Sequence, residues 1–153
     1  GPDGNLWLTR LAEKAAQIIR FVPPAPPAGL SFYTLPPCRL LDTRNPAGPA
    51  GGPSLAAQMA RVVSPGGACG VPSAARALTI NVTVTQPSTG PGFLTFYPDG
   101  TARPIASTVN YRAGQTRANN SILTLGPAGD FQIWCGQGSG TADVVVDVFG
   151  YFQ

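Results

Sequence analysis

An antiparallel β-sandwich is the fold this sequence predicts, and three observations predict it. Between Ala77 and Thr85 the apolar Leu78, Ile80, Val82 and Val84 interleave with Thr79, Asn81, Thr83 and Thr85. Such period-two alternation with β-branched enrichment buries one face of a strand. Nineteen glycines and 17 prolines punctuate 153 residues, as short strands joined by tight turns require. Charged residues make up only 11% and hydrophobic ones 43%, which excludes a long charged helical bundle yet leaves enough apolar surface for a core. A half-buried strand face needs a second sheet to cover it.

In order, residues 1–22 differ in character from everything after them. As a helix, Leu8, Leu11, Ala15, Ile18 and Ile19 share one face. As two strands, Asn5–Arg10 and Gln17–Val22 flank a short connection. The segments PDGNLWLT and QIIRF are similar to the repeat of NHL or virginiamycin B lyase-type β-propellers, over residues 2–21. That is about half a blade, and a propeller closes only with at least ~4 blades, so this arm is at most a remnant of one. The chain opens on GPDGNLW without a methionine, as a piece of a longer protein would.

Residues 23–30, PPAPPAGL, form a proline-rich linker near polyproline II, with a reach of roughly 25 Å. The sandwich occupies 31–153, roughly 120 residues by domain-size reasoning. SFYTLPPCRLLDTRN gives one strand or two, broken at Pro36-Pro37. Residues 45–54 and 64–75 are irregular; LAAQMARVV (55–63) stands between a strand and a helical turn, with the strand preferred. Ala77–Gly100 reads as a β-hairpin whose second strand is Phe93–Tyr97. IASTVNYRAG and TRANNSILTLG read as two strands separated by a turn at Gly114, and DFQIWCG and TADVVVDVFGYF complete the set.

The net charge of +3 is carried almost wholly by scattered arginines (Arg39, Arg44, Arg61, Arg76, Arg103, Arg112, Arg117). Without a clustered basic patch, no nucleic-acid partner is expected. There is no histidine, which removes the usual general base and the commonest zinc ligand. No apolar run approaches the ~20 residues of a membrane span, so no membrane insertion is expected.

The set PCRLLDTR, CGVPSAARALTINVTVT, FLTFYPDG, ASTVNYRAGQTRANNSI and VVVDVFGYF stands in order over Pro37–Phe152. In it the chain resembles the C-terminal β-domain of large secreted bacterial proteins. The resemblance implies an extracellular, non-catalytic module. It also implies a disulfide between Cys38 and Cys69, both at positions of that pattern. Zinc is the rival, and the lack of histidine and of CxxC spacing tells against it. Cys135 departs from the pattern and reads as a buried free thiol, with an intermolecular bridge as the other reading.

Asp42, Arg44, Arg117, Asn119 and Asp147 are polar residues within apolar strands. One reading is a buried Asp–Arg network that pins strand register, with Asp42 or Asp147 paired to Arg44 or Arg117. The other makes Asp42, Asp143 and Asp147 calcium ligands, although calcium loops crowd their acids within about a dozen residues. A two-carboxylate glycosidase site and a flat sugar-binding platform of Tyr97, Tyr111, Trp134 and Tyr151 are further readings; packing along the strands is the default for these aromatics. Neither GxSxG nor a P-loop is present. Asn81 and Asn119 head NxS/T sequons placed on strands. No catalytic residue, cofactor or metal is expected.

Three function classes follow. The leading one is an extracellular structural subunit, a homo-oligomer or polymer assembled through the arm residues Leu6, Trp7, Leu8, Ile18, Ile19 and Phe21. These carry too much apolar surface to leave in water. The second is a module binding a glycan or envelope polymer. The third is the tail of a propeller lyase, disfavoured because those lyases use histidine.

Overall fold

The computed structural model describes residues 6–12 and 15–21 as backbone and residues 29–153 in full. Residues 23–28 of the linker and the side chains of the arm lie outside the described residues. The arm is strand, not helix: β1 (Leu6–Ala12) and β2 (Ala15–Phe21) pair antiparallel from Leu6 opposite Phe21 to Ala12 opposite Ala15.

The rest is an all-β sandwich of two antiparallel sheets. The larger contains β3 (Phe32–Asp42), β11 (Thr141–Phe152), β6 (Ala77–Thr85) and β9 (Arg117–Thr124) in that order, with β4 (Leu55–Ala56) added at the start of β11. The smaller runs β5 (Ala60–Val63), β10 (Phe131–Cys135), β7 (Gly92–Pro98), β8 (Val109–Tyr111). Leu78, Ile80, Val82 and Val84 of β6 and Val144, Val146 and Val148 of β11 meet Leu94, Phe96, Phe131 and Ile133 of the smaller sheet in one core.

The expected hairpin over Ala77–Gly100 is not one. β6 is flanked by β11 and β9, while β7 is flanked by β10 and β8. Residues 86–91 therefore cross from one sheet to the other, and the two strands face each other through the core. Periodicity fixes which face of a strand is buried, not which strand lies beside it. The strand expected over 55–63 breaks at Gln58, whose φ is +60°; β4 then joins β11 and β5 joins β10. Of the strand expected over 105–114 only Val109–Tyr111 pairs. The preceding loop lies along β7 instead, Thr108 N donating to Leu94 O at 2.7 Å and Thr95 Oγ1 to Ala106 O at 3.1 Å.

Pro36-Pro37 does not split β3, but the ladder slips there. The β3–β11 register shifts between Val148 and Gly150 and again between Val146 and Asp147. The second slip leaves Leu40 as an extra residue, so that Leu40 and Leu41 are both buried.

Candidate functional site

The acidic residues singled out by sequence lie on the outer face of the larger sheet. Asp42 is only 5% exposed and accepts from one arginine along its own strand and one beyond it. Arg44 donates through Nε at 2.8 Å and Nη2 at 2.6 Å, with its main-chain N at 3.2 Å. Arg39 Nη1 adds a fourth bond at 2.9 Å, and Arg39 Nε donates to Asp147. The Arg44 guanidinium holds the Asp42 carboxyl down to about 2. A carboxylate so held has no proton to give at neutral pH, which removes it as a general acid.

The network therefore joins Asp42, Arg44 and Asp147 through Arg39, and it excludes Arg117. It lies on the solvent-facing side of the sheet rather than inside the sandwich, with the Arg39 side chain 47% exposed. Asn119 sits elsewhere, its Nδ2 donating to Thr108 O at 2.8 Å. Asp143 accepts from Thr43 Oγ1 at 2.8 Å and Ser54 Oγ at 2.6 Å. Among the described residues no three acidic, cysteine or histidine side chains gather into a cation site.

The aromatics do not make a platform. Tyr97 and Tyr111 are buried, and Tyr97 Oη donates to Gln132 Oε1 at 2.7 Å. Trp134 lies under Arg103, 4.2 Å from its ring centroid, on the smaller sheet. Tyr151 stacks on Tyr33 at 5.1 Å on the larger one. A buried chain that sequence reasoning missed runs beneath: Tyr111 Oη donates to Gln137 Oε1 at 2.8 Å, and Gln137 Nε2 to Ser139 O at 2.8 Å. Gln137 stands in a GQGSG loop, where composition alone suggests exposure. Cys135 is the free, buried cysteine, with Sγ 3.7 Å from Tyr111 Oη.

The sheet edges differ sharply. β5 and β8 are four and three residues long. β3 carries Pro36 and Pro37, two slips of register, and a disulfide from Cys38 to Cys69 that ties the 64–75 connection to it. Short strands, prolines, bulges and covering loops all blunt an edge. β9 carries neither proline nor bulge, and the loop before β8 reaches it at Asn119, whose Nδ2 donates to Thr108 O. Its eight residues, RANNSILT, pair with β6 without a slip from Arg117 opposite Val84 to Thr124 opposite Ala77. Among the described residues no strand pairs with its other edge. Beside it Phe32, Thr79, Asn120, Ile122 and Phe149 line a groove of about 430 Å³, and Ile122 is 67% exposed.

No protein-family model matches this chain, and no curated protein matches it.

Two further features bear on setting. The Cys38–Cys69 disulfide is of the kind that persists in oxidising compartments. Among the described residues no helix is long and apolar enough to cross a membrane.

Proposed function

We propose that the chain is a non-enzymatic extracellular subunit whose copies join head to tail, the amino-terminal arm of one adding strands to β9 of the next. The observation that carries this reading is the contrast between β9, an unbroken eight-residue edge, and the blunted edges of the other outer strands. An open edge presents a row of unpaired main-chain groups, which an incoming strand satisfies. The donor has a matching length: β1 and β2 are seven residues each.

Polarity supports it further. Ser31 and Gln153 exchange two main-chain hydrogen bonds, at 2.9 and 3.0 Å, so the chain enters the sandwich at the β3 edge. The acceptor β9 is the opposite edge of the same sheet. A donor on one edge and an acceptor on the other make a heterologous contact, which propagates unless rotation closes it. Alternate residues of an added strand would extend the groove at Ile122 and Phe149, and the arm sequence supplies Leu6, Leu8, Ile19 and Phe21 at positions that share one face in the β1–β2 register. The disulfide and the resemblance to secreted β-domains support an extracellular setting.

Deleting residues 1–22 tests the reading by sedimentation velocity and electron microscopy. The full chain is expected to form polymers and the truncated one a folded, disulfide-bonded monomer. A truncated chain that assembles as before, or a full chain that is monomeric at every concentration, ends it.

A further inference from the structure

Residues 29–153 contain seven arginines. Arg39 and Arg44 are held by carboxylates, Arg61 by the carbonyls of Gly48, Pro49 and Pro53, and Arg103 stacks on Trp134. Among the described residues the side chains of Arg76, Arg112 and Arg117 make no ion pair or hydrogen bond. Two of these three line the same cleft, a space of about 500 Å³ that also touches Phe93, Asn110 and Gln115. Among the described residues no acidic side chain lines it.

The cleft is braced rather than loose. Gln115 N donates to Arg112 O at 3.1 Å, and Arg112 N donates to Gln115 Oε1 at 3.1 Å. Gly114, at φ +69°, turns the chain between the two arginines and donates to Pro87 O at 2.9 Å. Asn110 Nδ2 donates to Ser107 Oγ at 2.9 Å. Among the described residues these bonds leave Gln115 Nε2 as a free donor and Asn110 Oδ1 as a free acceptor, the pair that a hydroxyl, itself donor and acceptor, would satisfy.

We propose that this cleft binds a carboxylate-bearing saccharide, a uronic-acid unit of an acidic glycan. Arg112 and Arg117 take the carboxylate, since guanidinium groups pair with carboxylates in fork geometry. Gln115 and Asn110 take a ring hydroxyl, and the half-buried Phe93 ring offers an apolar face to the sugar C–H groups. An acidic peptide would supply the carboxylate but no ring hydroxyl for the two amides. A nucleic acid would call for a longer run of basic residues.

Calorimetric titration of the full chain with trigalacturonate tests this, with maltotriose and triglutamate as comparators. Trigalacturonate is expected to bind and the other two to bind at least roughly tenfold more weakly, which corresponds to one charge-assisted bond. Arg112→Gln and Arg117→Gln should each weaken binding roughly tenfold, while Arg76→Gln leaves it unchanged. In the unmodified chain, trigalacturonate should shift the NMR signals of the Gln115 side-chain amide and the Phe93 ring, a readout that needs no variant to fold. The proposal is overturned by no binding at about millimolar ligand, by shifts confined to other residues, or by arginine variants that bind as well as the parent. Triglutamate binding as tightly as trigalacturonate would reassign the cleft to acidic peptides and overturn the saccharide reading. Arg117 begins β9, so the titration is run both at a concentration where sedimentation shows monomer and at one where it shows polymer, and binding by the monomer is read independently of assembly.

Discussion

Arg39 and Asp147 stand directly opposite each other on β3 and β11, and the guanidinium that reaches Asp147 also reaches Asp42. One side chain thus fixes the register of the two strands on the far side of a bulge. The two carboxylates it joins differ in setting. Asp42 is buried and accepts four bonds, whereas Asp147 is partly open and, among the described residues, accepts from Arg39 alone.

Asp42→Ala should therefore cost more than Asp147→Ala. Loss of a buried, charge-assisted acceptor costs about 2 kcal/mol, while loss of an exposed pair costs at most about 1 kcal/mol. Urea denaturation of both variants checks the order, and the reverse order would show that Asp147 anchors the network.

The same carboxylate sets an acid limit. Arg44 draws the Asp42 pKa from 3.8 to about 2. A group lowered on folding stabilises fully above its unfolded value, and loses that contribution as pH falls toward its folded value. The urea midpoint should thus fall between about pH 4 and pH 2, more steeply in the parent than in Asp42→Asn. Parallel curves for the two proteins would remove Asp42 as the cause.

Non-reducing peptide mapping should recover Cys38 joined to Cys69 and Cys135 unpaired. Replacing the bonded pair by serines should cost about 4 kcal/mol, the chain-entropy scale for a loop of this size. Burial pushes the Cys135 thiol pKa up, which leaves it protonated and shielded. Alkylation of the unreduced native protein should give no label, and unfolding should then expose one thiol. Rapid native labelling would place Cys135 nearer the surface than its burial implies.

A lysine on an edge strand opposes strand addition. Ile122 is exposed on β9, so Ile122→Lys should shift the melting temperature by no more than about 2 °C, as surface changes do, while abolishing polymers. Polymers that survive this change would move the acceptor away from β9.

Much of this was legible in advance, and what was not has a common physical cause. The alternation of Ala77–Thr85 told which side of β6 is buried, because that depends only on neighbours in sequence. That β6 lies between β11 and β9 depends on residues far along the chain, and no local pattern carries it. Asp147 was legible as a polar residue needing a cationic partner. That its partner is Arg39 rather than Arg44 or Arg117 follows from a register fixed over 108 positions. The Cys38–Cys69 pairing was implied by the resemblance to secreted β-domains. Arg117 looked like a member of the network because it sits among polar strand residues; its place on the outermost strand put it in a cleft with Arg112 instead.

The paired main chains of Ser31 and Gln153 have a mechanical consequence. Tension on the arm is delivered to the first rung of the β3–β11 ladder, at Phe32 and Phe152. Loaded from that end, an antiparallel pair opens rung by rung instead of resisting as a whole. Opening halts at Cys38, where the covalent bridge to Cys69 shunts the load past Arg39, Asp42 and the rest of β3. Single-molecule pulling should show a short, low-force extension that ends abruptly under oxidising conditions and runs on when a reductant is added.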